Sequence, residues 1–137
     1  QAVQSAKQAG LKVWGYFMLG MYGDTPASMQ RTVDLAKSEP FDIVNFSISA
    51  PYPATEWGQI ASKEGWIITD NFDKFDQNAS AIVDQPGCDH ETVQQFQKQA
   101  YKEWYLSPRG VRFMLNGLRP QYLSYFMKSA IAHLRPS

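Results

Sequence analysis

Two stretches of this chain follow one design: an extended run ends in a tight turn, and a capped helix begins at once. Residues 12–20 are largely apolar and lead into Gly20-Met21-Tyr22-Gly23, after which Asp24-Thr25-Pro26 opens a helix. Residues 41–49 lead into Ala50-Pro51-Tyr52-Pro53, and Thr55-Glu56 opens another. Strand, helix and strand at this spacing make a parallel βαβ unit, because parallel strands need a crossover of a dozen or more residues. The expected class is α/β. In such units function collects at the C-terminal ends of the strands, which is where Gly20–Asp24 and Ala50–Thr55 fall.

Local signals fill in the remaining elements. Residues 2–9 read as the end of a helix stopped by Gly10. In the first strand Val13, Gly15, Phe17 and Leu19 fall on one face, and Trp14, Tyr16, Met18 and Gly20 on the other. An element apolar on both faces is expected to be buried on both, as in a helix-covered parallel sheet. Thr25 is a fitting N-cap with Pro26 at the first helical position. Met29, Val33 and Ala36 then follow at helical spacing, and Pro40 ends the run. In the second strand Val44, Phe46 and Ile48 alternate with Asn45, Ser47 and Ser49, which predicts an oily face toward helices and a small polar face toward a lumen. A third helix is expected at 55–64, stopped by Gly65. From Trp66 to Gly87 the pattern weakens, and the aromatic and acidic run 69–76 is expected to drape over a mouth or edge. Asp89 caps a helix striped by Val93, Phe96, Ala100, Tyr101 and Trp104. Ser107-Pro108 starts a short helix ended by Gly117, and a last helix is expected at 120–134.

Three segments in order carry a resemblance to the radical S-adenosylmethionine enzymes. That family usually shows G-(F/L)-P-G-(D/E)-T where this chain has Gly20-Met21-Tyr22-Gly23-Asp24-Thr25, and P-Y-P-G-T where it has Pro51-Tyr52-Pro53-Ala54-Thr55. Tyr22 replaces the usual Pro, and Ala54 the usual Gly, which demands a turn without strongly left-handed dihedrals. Residues 100–109, Ala-Tyr-Lys-Glu-Trp-Tyr-Leu-Ser-Pro-Arg, resemble the AY..FY.RP segment of the cobalamin-binding branch, which includes the anaerobic magnesium-protoporphyrin IX monomethyl ester cyclases.

The resemblance implies the last βα units of a partial (β/α)6 barrel over residues 1–69, followed by a mainly helical extension over 70–137. It implies a parent that binds a 4Fe-4S cluster, S-adenosylmethionine and cobalamin, and an oxidative cyclase activity. A cobalamin-dependent methyltransferase, a methylthiotransferase and a non-catalytic interaction module are the alternatives. By position in the family, the side chain of Met18 would meet the adenine, with Gly20 leaving room for the cofactor. Backbone of Ser49, Ala50 or Pro51 would meet the adenine edge, Pro51 as an acceptor only because it has no N–H. Tyr52, held between two prolines, is a candidate substrate contact.

The chain has a single cysteine, Cys88, whereas cluster ligation needs several thiolates. The polypeptide is therefore expected to be a piece of a longer enzyme, inactive alone, with the N-terminal remainder as partner and a small, porphyrin-like molecule as substrate. A truncated βαβ piece is also expected to self-associate through an exposed sheet edge. A lone cysteine excludes an internal disulfide framework and fits a reducing cytoplasm. With 13 basic and 13 acidic residues, the chain lacks the basic excess that nucleic acid binding requires. No apolar run is long enough to span a membrane. Neither His90 nor His133 has a partner at metal-ligand spacing. Asp24 is expected to cap its helix and Cys88 to be an ordinary loop thiol. Between Lys98 and Ser137 the basic residues Lys98, Lys102, Arg109, Arg112, Arg119, Lys128 and Arg135 face one acid, Glu103, a surplus suited to solvated helix faces or an anionic partner.

Overall fold

The computed structural model describes residues 1–78 and 80–117; the helix expected at 120–134, with His133, lies outside the described residues. The elements in chain order are α1 (Ala2–Gln8), β1 (Trp14–Leu19), α2 (Pro26–Ser38), β2 (Ile43–Ile48), α3 (Glu56–Lys63), α4 (His90–Tyr105) and α5 (Pro108–Gly117). A 3-10 turn lies at Phe72–Lys74. The architecture is mixed α/β around a two-stranded parallel sheet, with Trp14 opposite Ile43 and Leu19 opposite Ile48.

Helix starts follow the sequence signals. Thr25 accepts the Ser28 N–H at 3.2 Å while the Ser28 hydroxyl accepts the Thr25 N–H at 2.9 Å, a capping box with Pro26 behind it. Thr55 accepts the Gly58 N–H at 3.0 Å, and Asp89 that of Thr92 at 2.7 Å. The strand starts are locked by charge. Asp42 accepts from the Lys7 ammonium at 2.7 Å and from the Val13 N–H at 2.8 Å, and its own N–H goes to the Val13 carbonyl at 2.9 Å. Burial pushes the Asp42 carboxyl up, but Lys7 and the Val13 N–H outweigh it and hold the group below its usual range.

The register puts Gly15, Phe17 and Leu19 beside Val44, Phe46 and Ile48 on one face of the sheet. Met29, Val33 and Ala36 of α2 and Val93, Ala100 and Trp104 of α4 join this face in one buried cluster, which spans both sides of residue 69. The opposite face departs from expectation: Trp14, Tyr16 and Met18 are 57%, 71% and 42% exposed. Helices α2 and α4 both belong to the Phe46 side, and no described element buries the other.

The two sheet edges differ. Phe46 turns its backbone toward α4, where the Tyr101 hydroxyl accepts its N–H at 3.1 Å and Gln97 Nε2 donates to its carbonyl at 2.7 Å. Four residues apart on one helix, these two side chains stand in for a further strand and end the sheet at β2. On the other side, the Val13 and Leu19 carbonyls accept from Asp42 and Ser49, the residues that flank β2. Backbone alternation therefore turns Trp14, Tyr16 and Met18 toward an edge that no described strand pairs.

The segment after α3 is only partly surface. Phe72 is 66% exposed, as a draped run requires, but Ala81, Ile82, Val83, Gln85 and Cys88 are buried. Single antiparallel bridges join Ile67 to Val83 and Gln85 to Cys88. No stripe announces this segment, because isolated bridges leave no period for a sequence to show.

Candidate functional site

The two turns singled out in the sequence lie side by side at the C-terminal end of the sheet. The Ser49 N–H donates to the Leu19 carbonyl at 2.8 Å, extending the ladder one residue past β2 and drawing Ala50 and Pro51 next to Gly20. Met18 stands opposite Ser47 at the end of β1, on the uncovered face. Met18, Gly20, Ser49, Ala50 and Pro51 are thus gathered at one end of the sheet. Tyr52 follows directly and turns its side chain to Phe75: its hydroxyl donates to the Phe75 carbonyl at 3.2 Å, and its ring packs 6.1 Å from that of Phe75.

The first turn is closed locally and braced from a distance. The Asp24 N–H returns to the Met21 carbonyl at 2.9 Å, and Gly23 takes φ +78° at the third position of this turn. One Asp24 oxygen accepts the Met21 N–H at 3.0 Å and the other the Ser28 hydroxyl at 2.5 Å, so its carboxylate serves the turn and the helix start. Gln85, 62 to 64 residues away, puts its amide across the turn: Oε1 accepts the Gly23 N–H at 2.9 Å and Nε2 donates to the Met21 carbonyl at 2.8 Å. Gly20 has φ +72°, and a Cβ there would lie 2.9 Å from Val93 Cγ1. On that side the room at Gly20 is filled by α4. Tyr22 packs on Trp57 and Trp66, with ring centroids 5.5 Å and 6.1 Å away, walling the outside of the turn.

The second turn is held by α3. The Thr55 hydroxyl donates to the Tyr52 carbonyl at 2.7 Å, and a Cβ on Gly58 would collide with that carbonyl, so only glycine lets the helix approach. Among the described residues only glycines have positive φ, so Ala54 avoids the left-handed region, as its side chain requires. The Ser49 N–H is committed to Leu19 and the Ala50 carbonyl to the Tyr52 N–H at 3.0 Å. The Ala50 N–H and the Ser49 and Pro51 carbonyls make no backbone bond to the described residues.

The 100–109 segment has a structural account. Ala100 and Trp104 are core, Tyr101 closes the β2 edge, and Pro108 opens α5. The Arg109 guanidinium donates to the Lys37 carbonyl at 2.5 Å and the Glu39 carbonyl at 3.3 Å, capping the C-terminus of α2. Of the basic surplus, Lys98, Lys102 and Arg112 are also described, whereas Arg119, Lys128 and Arg135 lie outside the described residues. Cys88 is buried, and burial, then Asp24 and Asp89, push its thiol up, which makes it a poor nucleophile. His90 Nδ1 lies 2.6 Å from Asp84, whose carboxyl is held low first by the His90 N–H. A groove of about 380 Å³ lined by Trp14, Tyr16, Asn45, Tyr101 and Tyr105 lies toward the starts of the strands, away from both turns.

Gln85, Gln97 and Gly58 were not expected from the sequence. Gln97 had a legible signal, since it falls four residues from both Val93 and Tyr101 on the apolar stripe of α4. Gln85 had none.

The chain is 28% identical over 108 residues to an uncharacterized methyltransferase of Pyrococcus horikoshii, an alignment covering 79% of this chain and 23% of that protein. The chain thus spans about a quarter of that relative's length. No protein-family model matches the chain. No described helix is long and apolar enough to cross a membrane.

Proposed function

We propose that this chain supplies the closing strands of the catalytic barrel in a radical S-adenosylmethionine enzyme, and that the whole protein is a methyltransferase. The observation that carries the reading is the adjacency of the two family-like turns. They come from parallel strands, meet through Ser49 and Leu19, and leave the apolar Met18 side chain exposed beside them. The similarity to a methyltransferase supports methyl transfer; nothing comparable favours ring cyclisation.

The residues present fit the nucleoside part of the cofactor. Met18 offers an uncovered apolar surface to an adenine ring and the half-buried Ala50 offers its N–H to the edge, whereas Ser49 and Pro51 are buried, the Pro51 carbonyl against Gly58 of α3. Gln85 and Val93 hold the neighbouring turn in place. S-adenosylmethionine, once bound, supplies the methyl group and the one-electron chemistry. The chain does not fit the iron–sulfur cluster. Its one thiol is buried and pushed toward the protonated form, so a cluster would have to be held by other parts of the polypeptide. Those parts would also cover Trp14 and Tyr16 and pair the open edge of β1.

The test is the full-length protein purified without oxygen. About four irons per chain are expected, with S-adenosylmethionine binding, 5′-deoxyadenosine formation and label transfer from the S-methyl group. Methyl transfer without iron or 5′-deoxyadenosine would replace the radical reading with a conventional methyltransferase. No S-adenosylmethionine binding would leave an interaction module.

A further inference from the structure

We propose that Gln85 is a positioning residue for the nucleoside site: by clamping the turn after β1 it sets the affinity for S-adenosylmethionine. The inference rests on the functional reading above and adds a residue that reading does not contain.

The turn presents one backbone donor, the Gly23 N–H, and one acceptor, the Met21 carbonyl, to the interior. Gln85 is 6% exposed and meets both, at 2.9 and 2.8 Å. A primary amide carries an acceptor and a donor on one rigid plane, which a carboxylate or an apolar side chain of similar size does not. The Met21 carbonyl also accepts the Asp24 N–H, so both of its lone pairs are used. Gln85 is itself fixed, through its bridge to the buried Cys88. Five residues after Cys88, Val93 fills the space over Gly20. One segment after the second turn, residues 85–93, therefore grips the first turn at Gly20, Met21 and Gly23. Those residues begin two positions after Met18, the proposed adenine contact. Loosening the turn lets the end of β1 move, leaves the part-buried Gly23 N–H unpaired and leaves the Met21 carbonyl with its Asp24 bond alone.

The test uses S-adenosylmethionine binding to the full-length enzyme, read by equilibrium titration, with iron content and circular dichroism as controls on folding. Gln85→Met keeps the volume and removes both hydrogen bonds; binding is expected to weaken about tenfold. Gln85→Glu keeps the acceptor but loses the donor at neutral pH. It is expected to bind about tenfold more weakly at pH 8 and to recover on acidification, because a protonated carboxyl again offers both groups. Its pKa would be raised by burial and by the facing carbonyl. Wild type should show no such recovery. Gln85→Glu carries the test if Gln85→Met does not fold. Wild-type affinity in Gln85→Met overturns the proposal, and so does loss in Gln85→Glu without recovery, which would make position 85 a matter of packing. A wild-type enzyme that binds no S-adenosylmethionine overturns the reaction class, and this role with it.

Discussion

Gly20→Ala tests the contact between α4 and the turn after β1. Two separate penalties are built into that position. At φ +72° an alanine enters the left-handed region, which costs roughly 1–2 kcal/mol. Its Cβ would also lie 2.9 Å from Val93 Cγ1 and 3.2 Å from Cγ2, an overpacking that costs typically 1–3 kcal/mol in a closed core. The third neighbour, Val93 Cβ at 3.6 Å, is an ordinary contact. Truncating Val93 to alanine therefore removes the collision and leaves the dihedral penalty. The substitution should cost about 2–5 kcal/mol in wild type and about 1–2 kcal/mol in a Val93→Ala background, a coupling of roughly 1–3 kcal/mol. Urea midpoints of the four proteins, compared at constant slope, give the cycle. Equal costs in both backgrounds would refute the packing argument and return the space over Gly20 to a ligand.

Three further outcomes follow from the same geometry. Tyr101→Phe leaves the buried Phe46 N–H without its acceptor and should cost about 1–3 kcal/mol; light scattering should rise as the β2 edge opens, and an unchanged urea midpoint would mean that edge is satisfied otherwise. Cys88, buried and with its thiol pushed up, should resist a soluble disulfide reagent until denaturant is added; rapid labelling of the native protein would contradict its burial. Asp42→Asn should cost about 1 kcal/mol at neutral pH through the lost charge link to Lys7. The Asp42 carboxyl is lowered in the fold, so its contribution is present above the unfolded pKa of about 3.9 and lost as pH falls through the folded value. Wild type and variant should converge in acid; a constant gap down to pH 2 would place the effect elsewhere.

The elements were legible where the signal is local. Thr25-Pro26, Thr55 and Asp89 cap their helices because a cap needs only a side chain two or three residues from an orphan N–H. The alternation of Val44, Phe46 and Ile48 named the covered face of β2, since side chains in a strand alternate whatever lies around them. The two turns were legible as lying at like ends of parallel strands. The exposure of Trp14, Tyr16 and Met18 was not: apolarity on both faces of β1 records surface that wants cover, and only the placement of α2 and α4 says which face receives it.

Sequence by itself thus determined the helix starts, the two strands and their parallel crossover, and the mixed α/β class of the fold, all written in intervals of a few residues. Tertiary structure alone decided what touches the turns. Gln85 meets Gly23 and Met21 across more than 60 residues, and Gln97 meets Phe46 across 51. Gly58 is glycine because a carbonyl lies against its helix. A glutamine in a Pro-Gly turn or on a helix looks the same in sequence whether it faces water or a buried peptide. Its role is set by which backbone groups the folded chain leaves unpaired beside it, and that depends on contacts no local pattern encodes.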